Sequence, residues 1–209
     1  AASYQARQYC TVFLNISKEE SMTAFTTEKI DVEPWFDMEL FMGVSQETRL
    51  GGDVMDRFMT LWKNWLPHLT VKGIDTGKIK YLLVALDESV EQDVDKAWEG
   101  SPSNAFLYNA LAQTMCMAAV HAVIPEVQDA GCAPAPKPTA TLREALEAEG
   151  IPYSNDKDPI LSRRYAVVTH YPFKGGCEIC VLQSNCPKGQ GQMEATSVVL
   201  PGYEHPQQM

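Results

Sequence analysis

Ile79-Lys-Tyr-Leu-Leu-Val-Ala-Leu86 runs directly into Asp87-Glu-Ser-Val-Glu-Gln-Asp-Val-Asp-Lys-Ala97. Taken alone, Ile79 to Val84 suits a β-strand. Taken together with residues 87–97, Ile79, Leu82, Leu83, Leu86, Val90, Val94 and Ala97 recur at the three- and four-residue intervals of one helical face. The longer periodicity is preferred here, so residues 79–98 are expected to form a single helix. Asp87, Glu88, Glu91, Asp93 and Asp95 would then be its solvated acidic face.

The neighbouring segments point the same way. Asp53, after Gly51-Gly52, can cap a helix whose apolar face is Val54, Met55, Phe58, Met59, Trp62, Trp65 and Leu66, with Pro67 as its stop. The methionines and tryptophans of that face read as core packing rather than a cofactor box. Glu33-Pro34 opens a further helical run through Met42. Near the start of the chain, Ala6, Tyr9, Cys10, Phe13 and Leu14 give residues 3–16 helical spacing, and Ser17 can cap a second short helix. Ser103 caps the run 104–123, which has no charged residue if His121 is neutral. Polar interruptions and Pro125 just beyond it make it a buried central helix rather than a membrane span.

The prolines of Ala130-Gly-Cys-Ala-Pro-Ala-Pro-Lys-Pro138 forbid a continuing helix. This segment divides the chain into a helical body (1–129), a connector (130–138) and a C-terminal subdomain (139–209). In the last part, Thr139 or Thr141 caps a helix over 142–149 that ends at Gly150. Tyr165 to Thr169 and Ser197 to Leu200 read as short strands. The expected fold is therefore mainly α, a helical bundle with a small cysteine-rich, partly β C-terminal subdomain.

At 209 residues, the chain suffices for one domain with a small appendage. It carries 27 acidic against 17 basic side chains, net -10. Nucleic-acid affinity comes from cationic groups that displace counterions from phosphates, so this balance argues against nucleic acid and against anionic lipid as partners. The chain opens Ala-Ala without methionine, as expected of a processed or truncated N-terminus. No signal peptide is visible in what remains, and a cytoplasmic location is expected.

Chemistry concentrates in His170-Tyr-Pro-Phe-Lys-Gly-Gly-Cys177-Glu-Ile-Cys180-Val-Leu-Gln-Ser-Asn-Cys186-Pro187. A C-x2-C pair lets two thiolates from one turn reach the same metal centre, and a third cysteine five residues on can close a loop round it. Gly175-Gly176 give the turn its freedom, and their N–H groups are candidates for tuning the centre. The compact triad favours an iron–sulfur cluster, of the 4Fe-4S kind, with zinc as the alternative. Four ligands are usual. Cys132, in the connector, is the preferred fourth because cysteine is the commoner cluster ligand, and His170 is the runner-up. A Cys177–Cys180 disulfide with Cys186 bonded to Cys132, or free thiols, remain open. Cys10 and Cys116 read as small core hydrophobes. Asn109, Gln113 and His121 offer a separate polar pocket on the helix 104–123, although a lone histidine on a buried helix is usually a core residue. No nucleophile, base and orienting group appear together as a motif.

With His170 at its first position, the cysteine segment resembles the cluster loop of endonuclease-III-type glycosylases, whose layout is C-x6-C-x2-C-x5-C. Its C-x2-C-x5-C ending is similar to that of AddB- and Cas4-type nucleases. These resemblances imply the cluster geometry and not the DNA chemistry, because the nuclease carboxylate–lysine motifs and a basic surface are missing. Ala6-Arg7-Gln8-Tyr9, Glu33-Pro34 with Glu39-Leu40-Phe41-Met42, Phe58, Trp62, Trp65-Leu66-Pro67 and Phe106 to Ala112 together resemble the TorD/NarJ type of redox-enzyme maturation chaperone. That resemblance implies an all-α body that binds the apo form of molybdenum enzymes and their twin-arginine leaders. The expected function is a metal-binding protein of a redox system, partnered by a redox protein or enzyme subunit. A maturation chaperone and a small-ligand enzyme are the alternatives.

Overall fold

The computed structural model describes residues 24–155 and 159–186. Its elements in chain order are β1 (Thr26–Lys29), α1 (Met38–Ser45), α2 (Gly52–Trp65), β2 (Leu69–Asp75), β3 (Lys80–Leu86), α3 (Glu88–Gly100), α4 (Pro102–Val123), α5 (Glu126–Ala130), α6 (Ala140–Ala148) and β4 (Ala166–His170). The expected helices near residues 3–16 and Ser17, and the strand at 197–200, lie outside the described residues.

The helical-bundle expectation is overturned by a four-stranded antiparallel sheet with strand order β1-β2-β3-β4. The difference traces to residues 79–98. Lys80 to Leu86 is a strand, and Asp87 then caps α3 by accepting the Ser89 N–H at 2.9 Å. The strand is buried on both faces. Tyr81, Leu83 and Ala85 pack with Leu142, Ala145 and Leu146 of α6, whereas Leu82, Val84 and Leu86 pack with Leu111, Met115 and Ala119 of α4. A strand covered on both sides shows no polar alternation, and its apolar run can continue the phase of a following helix. Here Leu82 and Leu86 fall in line with Val90 and Val94 of α3, which gives the two elements the look of a single helix.

Register fixes the rest of the sheet. Lys72 lies opposite Leu83 in β2, and Val168 lies opposite the same residue in β4. α1, α2, α3 and α4 contribute to the core on one face, and α6 with Ile151 and Tyr153 covers the other. α4 meets the length and apolarity of a membrane span, but half of that window is buried inside the protein, with Leu111, Met115, Ala119 and Val120 at 0% exposure. Its alanines let neighbours approach closely. α4 begins two residues earlier than expected, capped by Ser101 rather than Ser103, and α2 has Gly51 rather than Asp53 at its N-cap. α1 starts at Met38, where Asp37 accepts the Leu40 N–H, while Pro34 stays outside the helix and its carbonyl accepts the Trp62 indole N–H at 3.2 Å. Thr139 caps α6.

The acidic side chains of α3 are not simply solvated. Asp95 pairs bidentately with Arg164 at 2.7 and 3.3 Å, Glu91 accepts the Arg164 backbone N–H, and Asp93 accepts the Trp65 indole N–H. The first two pin the segment that leads into β4, while Lys72 of β2 pairs with Glu149 just past α6. Leu83, sealed between the sheet and α6, is the sharpest test of the two-faced strand. Leu83→Ala should lower the unfolding free energy by about 2–5 kcal/mol in urea denaturation; a loss below about 1 kcal/mol would contradict burial of that position.

Candidate metal centre

The site is assembled where two remote segments meet. After β4 the chain passes Tyr171, whose N–H donates to the Lys80 carbonyl at 3.0 Å, and reaches Gly175 with φ +55. That left-handed value suits glycine, and it turns the chain into a short 3-10 turn at Cys177–Ile179, followed by another at Gln183–Asn185. The Cys180 N–H donates to the Cys177 carbonyl at 3.2 Å, and the Gln183 N–H to the Cys180 carbonyl at 3.1 Å. Local bonds of this kind turn the backbone tightly enough for the cysteines of a C-x2-C-x5-C run to face one space.

The connector brings the fourth cysteine. α5 ends at Ala130, and the prolines beyond it keep residues 132–138 extended rather than helical. Two bonds fix this extended chain. The Thr169 hydroxyl of β4 donates to the Pro134 carbonyl at 3.0 Å, and the Val181 N–H, between Cys180 and Cys186, donates to the Ala135 carbonyl at 3.0 Å. Cys132, Cys177, Cys180 and Cys186 consequently line one small cavity, together with Ala130, Pro134, Gly176 and Gln183. Its volume of about 40 Å³ exceeds the roughly 10–15 Å³ that one water needs. All four cysteines are partly exposed, and Ile179, Val181 and Leu182 stand 37–40% exposed beside them. Among the described residues, no three His, Cys, Asp or Glu side chains converge closely enough to hold a single metal ion.

His170, the alternative fourth ligand, does not line this cavity. It sits opposite Tyr81 in the β3–β4 ladder with ring centroids 5.4 Å apart, and its Nδ1 is buried with no hydrogen-bond partner among the described residues. Burial, and secondarily the nearby Lys174 charge, lowers its pKa. The glycine N–H groups also differ from expectation. The Gly176 N–H donates to Glu178 Oε1 at 2.8 Å, so that donor is directed at a carboxylate and not at sulfur. The same bond holds the Glu178 carboxyl below its ordinary pKa. Glu178, Gln183 and the Val181–Ala135 tie are additions to the residues that the cysteine spacing singles out. Glu178, an acid two residues past the glycine pair and inside the ligand run, is the legible sign among them.

The polar residues of α4 do not form one pocket. Asn109 accepts the Tyr165 hydroxyl at 3.0 Å, Gln113 is exposed, and His121 borders a separate shallow pocket with Trp35, Asp37 and Gln128. Burial lowers the His121 pKa, against the opposing charge of Asp37. His68, Asp87 and Ser89 are adjacent, but Asp87 Oδ2 at 2.6 Å and Ser89 Oγ at 3.2 Å both meet the same His68 Nδ1. A nucleophile and its orienting acid must address opposite ring nitrogens, so this is a helix cap and not a catalytic relay.

Cys116 is a core residue, as its apolar surroundings imply, and its sulfur donates to the Tyr165 carbonyl at 3.5 Å. Burial pushes its thiol up to about 12. Cys10 lies outside the described residues. Burial thus holds Cys116 in the thiol form, and the thiolate is the reactive one. In native metal-free protein, maleimide with peptide mass mapping should therefore label Cys177, Cys180 and Cys186 and spare Cys116; equal labelling of Cys116 would refute its burial. Comparison of the chain with known protein families, curated proteins and solved structures finds no match.

Proposed function

We propose that this protein carries one iron–sulfur cluster of the 4Fe-4S class, ligated by Cys132, Cys177, Cys180 and Cys186, and serves electron transfer or structural support within a larger redox enzyme system. The observation that carries this reading is the convergence of four thiols, from segments more than forty residues apart, on one small cavity. Cysteine thiolates are the usual ligands of such clusters, whose potential responds to hydrogen bonding and solvent exposure. When bound, the group supplies one-electron chemistry. The chain's own residues ligate it, hold the two segments in register through Thr169 and Val181, and leave the cysteine loop at the surface. The net charge of -10 favours a protein partner, a redox protein or enzyme subunit, over nucleic acid.

Protein purified without oxygen should be brown and contain iron and acid-labile sulfide. Cys180→Ser should abolish the metal content while leaving the helical circular dichroism intact, and Cys132→Ser should reduce iron retention. His170→Ala should keep the full complement. Colourless protein with one zinc or no metal would overturn the cluster and turn attention to a maturation chaperone that works through the helical face. Equal iron loss in His170→Ala and Cys132→Ser would overturn the ligand set.

A further inference from the structure

We propose that Glu178 is a positioning residue for the cysteine turn, its side-chain oxygen holding the Gly175–Gly176 backbone in the form that presents Cys177 and Cys180 to the cavity. The inference deepens the cluster reading and rests on it. Two observations carry it. Glu178 Oε1 accepts the Gly176 N–H at 2.8 Å, although the carboxylate itself is exposed and has water available as a competitor. Its carboxylate also occupies the place where a residue-175 side chain would stand, since a Cβ built on Gly175 would lie 2.3 Å from Glu178 Oε1 and 3.3 Å from its Cδ. The glycine therefore serves two ends: it adopts φ +55, and it leaves room for the carboxylate to fold back over the turn.

A charged acceptor on a backbone N–H makes one of the stronger hydrogen bonds available to an exposed loop. Gly176 immediately precedes Cys177 and itself lines the cavity, so fixing its peptide fixes the direction in which the first thiol of the pair leaves the chain. Groups that hydrogen-bond a metal ligand directly change metal retention by about 10–100-fold when removed, and Glu178, which acts on the peptide next to the ligand, is placed at the lower end of that range. The requirement is for an oxygen acceptor of this reach, which a glutamine amide supplies and an alanine does not.

The test compares iron release to a ferrous chelator, under anaerobic conditions, from holo wild type, Glu178→Ala, Glu178→Gln and Gly175→Ala. Glu178→Ala should release iron about tenfold faster or more. Glu178→Gln should stay within about twofold of wild type, because its amide oxygen can take the same N–H. Gly175→Ala should also release iron faster than wild type, because its methyl displaces the carboxylate and the left-handed φ of +55 strains any side chain there. In metal-free protein, amide exchange at Gly176 should be slowed in wild type and Glu178→Gln and fast in Glu178→Ala, with melting temperatures unchanged. Iron retention by Glu178→Ala equal to wild type, failure of Glu178→Gln to restore it, or unprotected Gly176 exchange in wild type would overturn the role of Glu178 while leaving the cluster standing. A wild-type protein that takes up no iron or sulfide would remove the cluster itself and this inference with it.

Discussion

Burial of β3 on both faces is the constraint on which the rest of the molecule depends. Tyr81 to Leu86 are each no more than 2% exposed. A strand with apolar side chains on both sides needs a cover above and below, so α4 and its neighbours occupy one face and α6 the other. The chain must therefore pass from one face to the other after α5. The proline-rich segment makes that passage: its Pro134 is held by Thr169 of β4, and Thr139 just past its end caps α6 on the face opposite α4.

The candidate centre is a by-product of that passage. Cys132 enters the connector at the point where it reaches β4, and the loop leaving β4 returns to the same point through the Val181–Ala135 bond. Three sulfurs come from a local turn and the fourth from an element that is distant in sequence and adjacent in space. A group bound by all four would cross-link the connector to the loop after β4, so its binding free energy would add to the stability of both segments. Partial exposure of the cysteines and the apolar side chains around them suits the proposed electron transfer, which needs a partner to approach a centre that water does not fully surround.

Electrostatics here organises the chain internally. Acidic groups of α3 hold Arg163 and Arg164, and Glu149 holds Lys72, so several of the basic residues are committed to structural pairs. That leaves a molecule with an acidic excess.

Local chemistry alone decided α2, α4, α6, the extended connector and the turn at the cysteines, because caps, prolines, glycines and apolar periodicity act over a few residues and their effect is written where they stand. The candidate ligand set was legible to the same extent: Cys177, Cys180 and Cys186 stand out by spacing, and Cys132 by the preference of clusters for sulfur. Tertiary structure decided what spacing cannot. Whether Lys80 to Leu86 coils or extends depends on having Val71, Val168, α4 and α6 as partners, and those contacts are remote in sequence. Which of Cys132 and His170 faces the cavity depends on β4 register, which sets His170 opposite Tyr81, and on two hydrogen bonds to carbonyls of the connector. The residue types were visible in the chain; the face each one occupies was fixed by pairing and packing between segments far apart in it.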